Sequence, residues 1–94
     1  MTRVIWTREA VEDVEAIKAY VARDSVRYAA LLAERIVAAV GRLESFPESG
    51  RVVPEVGDDS LREVIHGAYR IVYRIQAESV QVATVHHAAR LLDA

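Results

Sequence analysis

Four arginines and two adjacent histidines are the side chains of this sequence best suited to chemistry. Arg62, Arg70, Arg74 and Arg90 fall within residues 61–90 beside only two acids, Glu63 and Glu78, and all three histidines, His66, His86 and His87, lie in the same stretch. Guanidinium groups grip carboxylates and phosphates through forked hydrogen bonds, so the cluster reads as a small anion-binding patch for phosphate or for a partner's acidic side chains. The competing reading is that Arg70 and Arg74 bracket Glu63 across a strand pair and merely solvate an outer face. His87 is the candidate general acid or base, because an imidazole titrates near neutrality. Neighbouring strand residues point to opposite faces, so His86 and His87 cannot chelate one ion, and no other spacing completes a metal site. There is no cysteine, which excludes disulfides, thiolate metal sites and a Cys nucleophile. Ser49 and Ser60 lack a His and acid arrangement, no Gly-rich phosphate loop is present, and no cofactor is expected.

These side chains need a scaffold that 94 residues, 52% of them apolar and 28% charged, supply as one soluble globular domain spanning 1–94. A net charge of −2 removes the broad basic field of a general nucleic-acid binder, so any nucleic-acid contact is local. No apolar run is long enough to span a bilayer, and MTRVIWTREA places charge where a signal peptide has its apolar stretch, so the chain reads as cytoplasmic, without a membrane partner.

Residues 3–6, β-branched and aromatic, form a strand, and Thr7 offers a helix N-cap. Over 9–22, Ala10, Val14, Ile17 and Val21 draw one apolar stripe at helical spacing, with Glu9, Glu12, Asp13 and Glu15 towards the helix start, where the dipole favours them. Asp24 or Ser25 caps a second helix that runs to about residue 45, with Tyr28, Leu32, Ile36, Ala39, Val40 and Leu43 on one face. The short link makes the helices an antiparallel hairpin. Residues 46–60 hold both prolines and two of the four glycines and form a long ordered loop, and Asp58-Asp59 marks a turn leading into a strand. Two-residue alternation then predicts strands over 61–66, 69–76 and 79–86. The order β-α-α-β-β-β gives an α+β fold, with the helical hairpin packed on one face of a small antiparallel sheet.

If residues 77–78 make a two-residue turn, Ile75 opposes Val80, Tyr73 opposes Val82, Ile71 opposes Thr84 and Tyr69 opposes His86. That face lies under the helices, with His86 packed beside Tyr69. Arg70, Val72, Arg74 and Gln76 then occupy an open, half-polar outer face with His87 beside Arg70. A slip of one residue would bury two arginines, which disfavours the alternative register. Val11, Tyr20, Leu31 and Val37 fall outside the main stripes and either cover the neighbouring helix or form an apolar groove for a partner segment.

Taken together, a strand ending in Trp6, AVED over 10–13, LESFPESG over 43–50, Arg62-Glu63, YRIVYR over 69–74 and VHHAAR over 85–90 resemble the RelE/ParE superfamily of toxins from bacterial type II toxin-antitoxin systems. The resemblance runs through nearly the whole chain. It implies a toxin neutralised by a cognate antitoxin whose C-terminal region wraps around it, in a hetero-oligomer. It also implies one of two mechanisms: RelE-like members cut mRNA in the ribosomal A site, and ParE-like members poison DNA gyrase. Arg70 matches an arginine that contacts phosphate in the nuclease branch, where His87 and Arg74 would complete the catalytic set. That branch follows its last strand with a basic residue and often a tyrosine, whereas this chain has Ala88 and Ala89 and no tyrosine after Tyr73. These departures and the acidic net charge point to the ParE-like branch, with no catalytic residue. Arg62, Arg70, Arg74, His87 and Arg90 are then the expected target contacts, and Val11, Tyr20, Leu31 and Val37 the expected antitoxin contacts.

Overall fold

In a computed structural model, which describes residues 1–90 and 92, two helices pack on a five-stranded sheet. The elements are β1 (Arg3–Trp6), α1 (Arg8–Ala22), α2 (Val26–Gly41) extended by a 3-10 turn (Arg42–Glu44), β2 (Arg51–Val52), β3 (Leu61–His66), β4 (Tyr69–Ile75) and β5 (Ser79–His87). The sheet order is β1-β5-β4-β3-β2. The α+β class and the covering hairpin hold, while β1 pairs parallel to β5 and makes the sheet mixed. β2 is a two-residue strand inside the stretch expected to be loop.

Both helices begin where the sequence provides an oxygen for their orphan amides. The Thr7 side chain accepts from the Ala10 amide at 3.1 Å, and Ser25 does the same for Tyr28 at 3.1 Å, so Ser25 rather than Asp24 is the cap. The stripe of α1 lies as its spacing predicts. On α2, Tyr28 is 52% exposed and Ala29 is buried in its place. Seven residues before Ile36 bring Ala29 within about 20° of it around the helix, whereas Tyr28 stands off by about 80°. Ala10, Leu32, Ile36 and Val40 meet Ile71, Val82 and Val85 from the sheet to form the main core.

The β4–β5 pairing starts as expected, with Ile75 opposite Val80 and Tyr73 opposite Val82. It then shifts: Val72 faces Thr84, Ile71 faces Val85, Arg70 faces His86 and Tyr69 faces His87. Ala83 is therefore an extra residue on β5, a β-bulge. The Thr7 hydroxyl lies 2.8 Å from the Val82 carbonyl and 3.1 Å from that of Ala83, so the start of α1 is tied to the bulge. The expected pairs Ile71 with Thr84 and Tyr69 with His86 are overturned, and the two histidines exchange faces. His86 shares Arg70's side, and His87 makes an edge-to-face contact with Tyr69 at 6.0 Å between ring centroids.

The outer sheet face is not open. The chain after β2 folds back over it and buries Val53 against Leu61 and Val72, joined by Val56 and Leu92. The 46–50 stretch is pinned by Tyr73, whose hydroxyl donates to the Pro47 carbonyl at 2.7 Å and accepts from the Gly50 amide at 3.0 Å. A side chain at position 50 would come within 2.6 Å of the Glu63 carbonyl oxygen and 2.7 Å of the Tyr73 hydroxyl, so only glycine fits.

Candidate functional site

The arginine cluster of β3 and β4 divides into separate arrangements. Arg70 sits in the middle of β4 and is 4% exposed, so its expected place on a solvent-facing surface is corrected. Its Nε and Nη2 donate to Glu63, its Nη1 and Nη2 donate to Glu55 at 2.7 and 3.1 Å, and Nη1 also donates to the Arg90 carbonyl at 2.9 Å. These interactions occupy all five guanidinium N–H groups. Glu63, 1% exposed, opposes Val72 on the ladder and takes a further hydrogen bond from the exposed Arg51. Two arginines thus satisfy one buried carboxylate, the condition under which a buried charge is tolerated.

Glu55 holds the network's outer edge. Its carboxylate also accepts from the Leu92 amide at 3.0 Å. The hydrogen bonds from Arg70 and then from Leu92 lower its pKa to about 2. The same carboxylate, ahead of Glu63, raises the pKa of Arg70.

Arg74 shares the sheet face of Arg70 but lies four residues along β4, about 13 Å away. It donates to the Ser60 hydroxyl at 2.9 Å and pairs with Asp58 at 3.5 Å. It does not bracket Glu63. Arg62 opposes Tyr73 on the other face and is spent on loop carbonyls, those of Asp59 at 2.8 Å and Gly50 at 3.1 Å. Asp58 accepts from the Ser60 amide and hydroxyl, as its expected turn role requires.

His87 and Arg90 come together in a cleft of about 420 Å³ between α1 and the end of β5, lined also by Asp13, Tyr20, Tyr69 and His86. This cleft exists because β1 stops short of the end of β5, leaving α1 to cover the strand edge. Asp13 accepts from the Thr84 hydroxyl at 2.7 Å and the Val85 amide at 2.9 Å. His87 Nδ1 accepts from the Ala89 amide at 3.2 Å, so Nε2 is the nitrogen left to act. His86 is buried, its Nε2 has no partner among the described residues, and burial followed by the Arg70 and Arg90 charges lowers its pKa. No group of three His, Asp or Glu among the described residues could hold a metal ion, and no described helix is long and apolar enough to cross a membrane.

Of the four residues read as partner contacts, Val11 and Val37 meet in an apolar cleft of about 330 Å³ with Trp6, Val14 and Glu15. Tyr20 is exposed, stacks under the Arg23 guanidinium at 5.6 Å, and lines the His87 cleft instead. Leu31 is half-exposed and lines neither cleft.

A family model described as the ParE toxin of the type II toxin-antitoxin system parDE matches residues 4–92. The chain belongs to the ParE toxin family. The toxin is 35% identical over 92 residues to Toxin RelE2 of Caulobacter vibrioides, covering 97% of this chain and all of that one. It is 36% identical over 88 residues to Putative toxin Y4kP of Sinorhizobium fredii, covering 92% and 88%. A chain of the chromosomal ParDE system from P. aeruginosa has the same fold, with a TM-score of 0.75 at 22% identity over 93% of the toxin and 96% of that chain. As a type II toxin, the protein has a protein antitoxin as its partner.

Three residues of these sites were not legible in the sequence. Glu55 and Arg51 sit in a loop and a two-residue strand that no periodicity marks, and Trp6 ends a strand whose neighbours are far along the chain. The one signal present was charge balance: an arginine in the centre of an apolar strand requires acids beyond the single Glu63.

Proposed function

We propose that this toxin arrests growth from the cytoplasm by binding DNA gyrase rather than by cutting RNA, and that its antitoxin seats an apolar helix across Trp6, Val11 and Val37. Arg70 carries this reading. An RNA-cleaving site needs cationic donors aimed at the phosphate on which charge develops, and every donor of Arg70 is already committed to Glu55, Glu63 and the Arg90 carbonyl. Membership of the ParE family and the net charge of −2 support the same side. The target contacts then narrow to Arg74, Arg90 and His87, with Arg62 and Arg70 holding the loops that flank them.

A ribosome-dependent mRNA endonuclease is the second reading. It is favoured by one observation, that His87, Arg90, Tyr20 and Tyr69 line a common cleft where a proton-transfer group stands near a cation. Gyrase-dependent DNA cleavage measured beside primer extension on translated mRNA separates the two. Accumulated gyrase–DNA cleavage with intact mRNA is expected, and codon-phased mRNA cuts without a gyrase effect would reverse the assignment.

A further inference from the structure

The outer-face network joins three pieces of chain that are distant in sequence. Arg70 Nη1 reaches both Glu55 and the Arg90 carbonyl, and the Glu55 carboxylate reaches both Arg70 and the Leu92 amide. Leu92 in turn packs against the cluster of Val53, Leu61 and Val72. The chain leaves β5 through a turn, with the Ala88 amide on the Ala68 carbonyl and the Arg90 amide on the His87 carbonyl, and among the described residues no backbone hydrogen bond of that turn reaches Leu92. The two ionic residues fix its position.

We infer that Glu55 and Arg70 form a latch that holds Arg90 and Leu92 down on the outer sheet face, and that Arg70 serves the toxin's surface through this latch rather than by touching a target. Glu63 and Glu55 have different parts in it. Glu63 is fully buried and belongs to the sheet, so its bond to Arg70 opens only when the sheet opens. Glu55 is on the folded-back loop, and among the described residues its carboxylate bonds only Arg70 and the Leu92 amide, so its release frees Leu92 and removes the anion that aims Arg70 Nη1 at the Arg90 carbonyl, while β3 and β4 stay paired. The latch sets where the Arg90 side chain is presented, next to His87. For activity this rests on Arg90 being a target contact, as proposed above.

Amide hydrogen exchange on the full chain tests the latch. In Glu55→Gln the Leu92 amide is expected to exchange at least about tenfold faster, with the amides of Ile71 and Val72 unchanged, as local opening requires. Arg70→Lys, which keeps one charge for Glu63 but lacks the fork, is expected to speed Leu92 in the same way. Leu92 exchanging at its original rate in Glu55→Gln overturns the latch, as does Leu92 accelerating together with Ile71. Growth arrest by the two variants is expected to weaken in step with Leu92 exchange. A non-toxic Arg70→Lys beside a fully toxic Glu55→Gln would mean that Arg70 touches the target itself. Failure of the gyrase reading is visible separately, in the DNA-cleavage assay on the unaltered toxin, where Leu92 exchange has no part.

Discussion

His86 stands directly opposite Arg70 on the β4–β5 ladder, buried, with its Nε2 unpaired among the described residues. Burial, then the charges of Arg70 and Arg90, hold its pKa below 6.5 against the opposing pull of Asp13. The unfolded chain therefore takes up a proton that the folded one resists, and stability declines as pH falls through the unfolded value of 6.5. His86→Phe removes both the titration and the unpaired nitrogen. Urea midpoints of the unaltered chain are expected to drop between about pH 7.5 and about pH 5.5, and those of His86→Phe to drop less. An equal drop in both would place the titrating group elsewhere.

Removing Arg70 leaves the buried Glu63 with the exposed Arg51 as its one counter-charge among the described residues. Arg70→Ala is expected to destabilise the fold by about 3–5 kcal/mol, the usual cost of orphaning a buried charge. Arg74→Ala, whose partner Asp58 is half-exposed, is expected to cost less than about 1 kcal/mol. Denaturant unfolding of the two variants under one condition checks the ranking, and equal losses would contradict it.

Val37→Asp places a charge in the apolar cleft without touching the core, since Val37 is exposed in the free toxin. Antitoxin affinity is expected to fall by more than about tenfold, as a charge at a buried interface position costs more than about 1.4 kcal/mol. Val11→Asp should behave alike, and Leu31→Asp should do less because Leu31 lies outside that cleft. Calorimetric titration with the antitoxin would decide. Unchanged affinity in both valine variants would move the helix site elsewhere.

His87→Ala separates binding from catalysis at the other cleft. In a gyrase-binding toxin no proton is moved and Arg74 and Arg90 remain as target contacts, so the variant is expected still to arrest growth in cells lacking the antitoxin. A nuclease that used His87 for proton transfer would lose about 10²–10⁴ in rate. A folded, antitoxin-binding His87→Ala protein without toxicity would therefore favour acid-base chemistry.

Where structure is set by neighbours in sequence, the sequence was readable. The Thr7 and Ser25 caps and the turn around Asp58 rest on contacts within a few residues, and the range of β1 follows its own β-branched and aromatic run. The burial of Arg70 was not readable, because its acids come from seven and fifteen residues away and one of them rides on a loop without periodicity. The histidine faces failed for a different reason. Ala83 lies in the run Val82-Ala83-Thr84-Val85, where no glycine or proline announces a bulge, and the Thr7 hydroxyl that marks it is 75 residues away. The same lack of long-range information separated Val11 and Val37, which meet, from Tyr20 and Leu31, which do not join them.

The bulge at Ala83 also makes the end of β5 a parity device. Everything before it counts in one phase and everything after it in the other, so a one-residue deletion between the bulge and His86 would set His87 opposite Arg70 and His86 opposite Ile71, on the side of Tyr69. Two sheet surfaces are thus one codon apart. Within this fold, a lineage could trade a buried imidazole for an exposed one by insertion or deletion, leaving every side chain of the helical hairpin as it was.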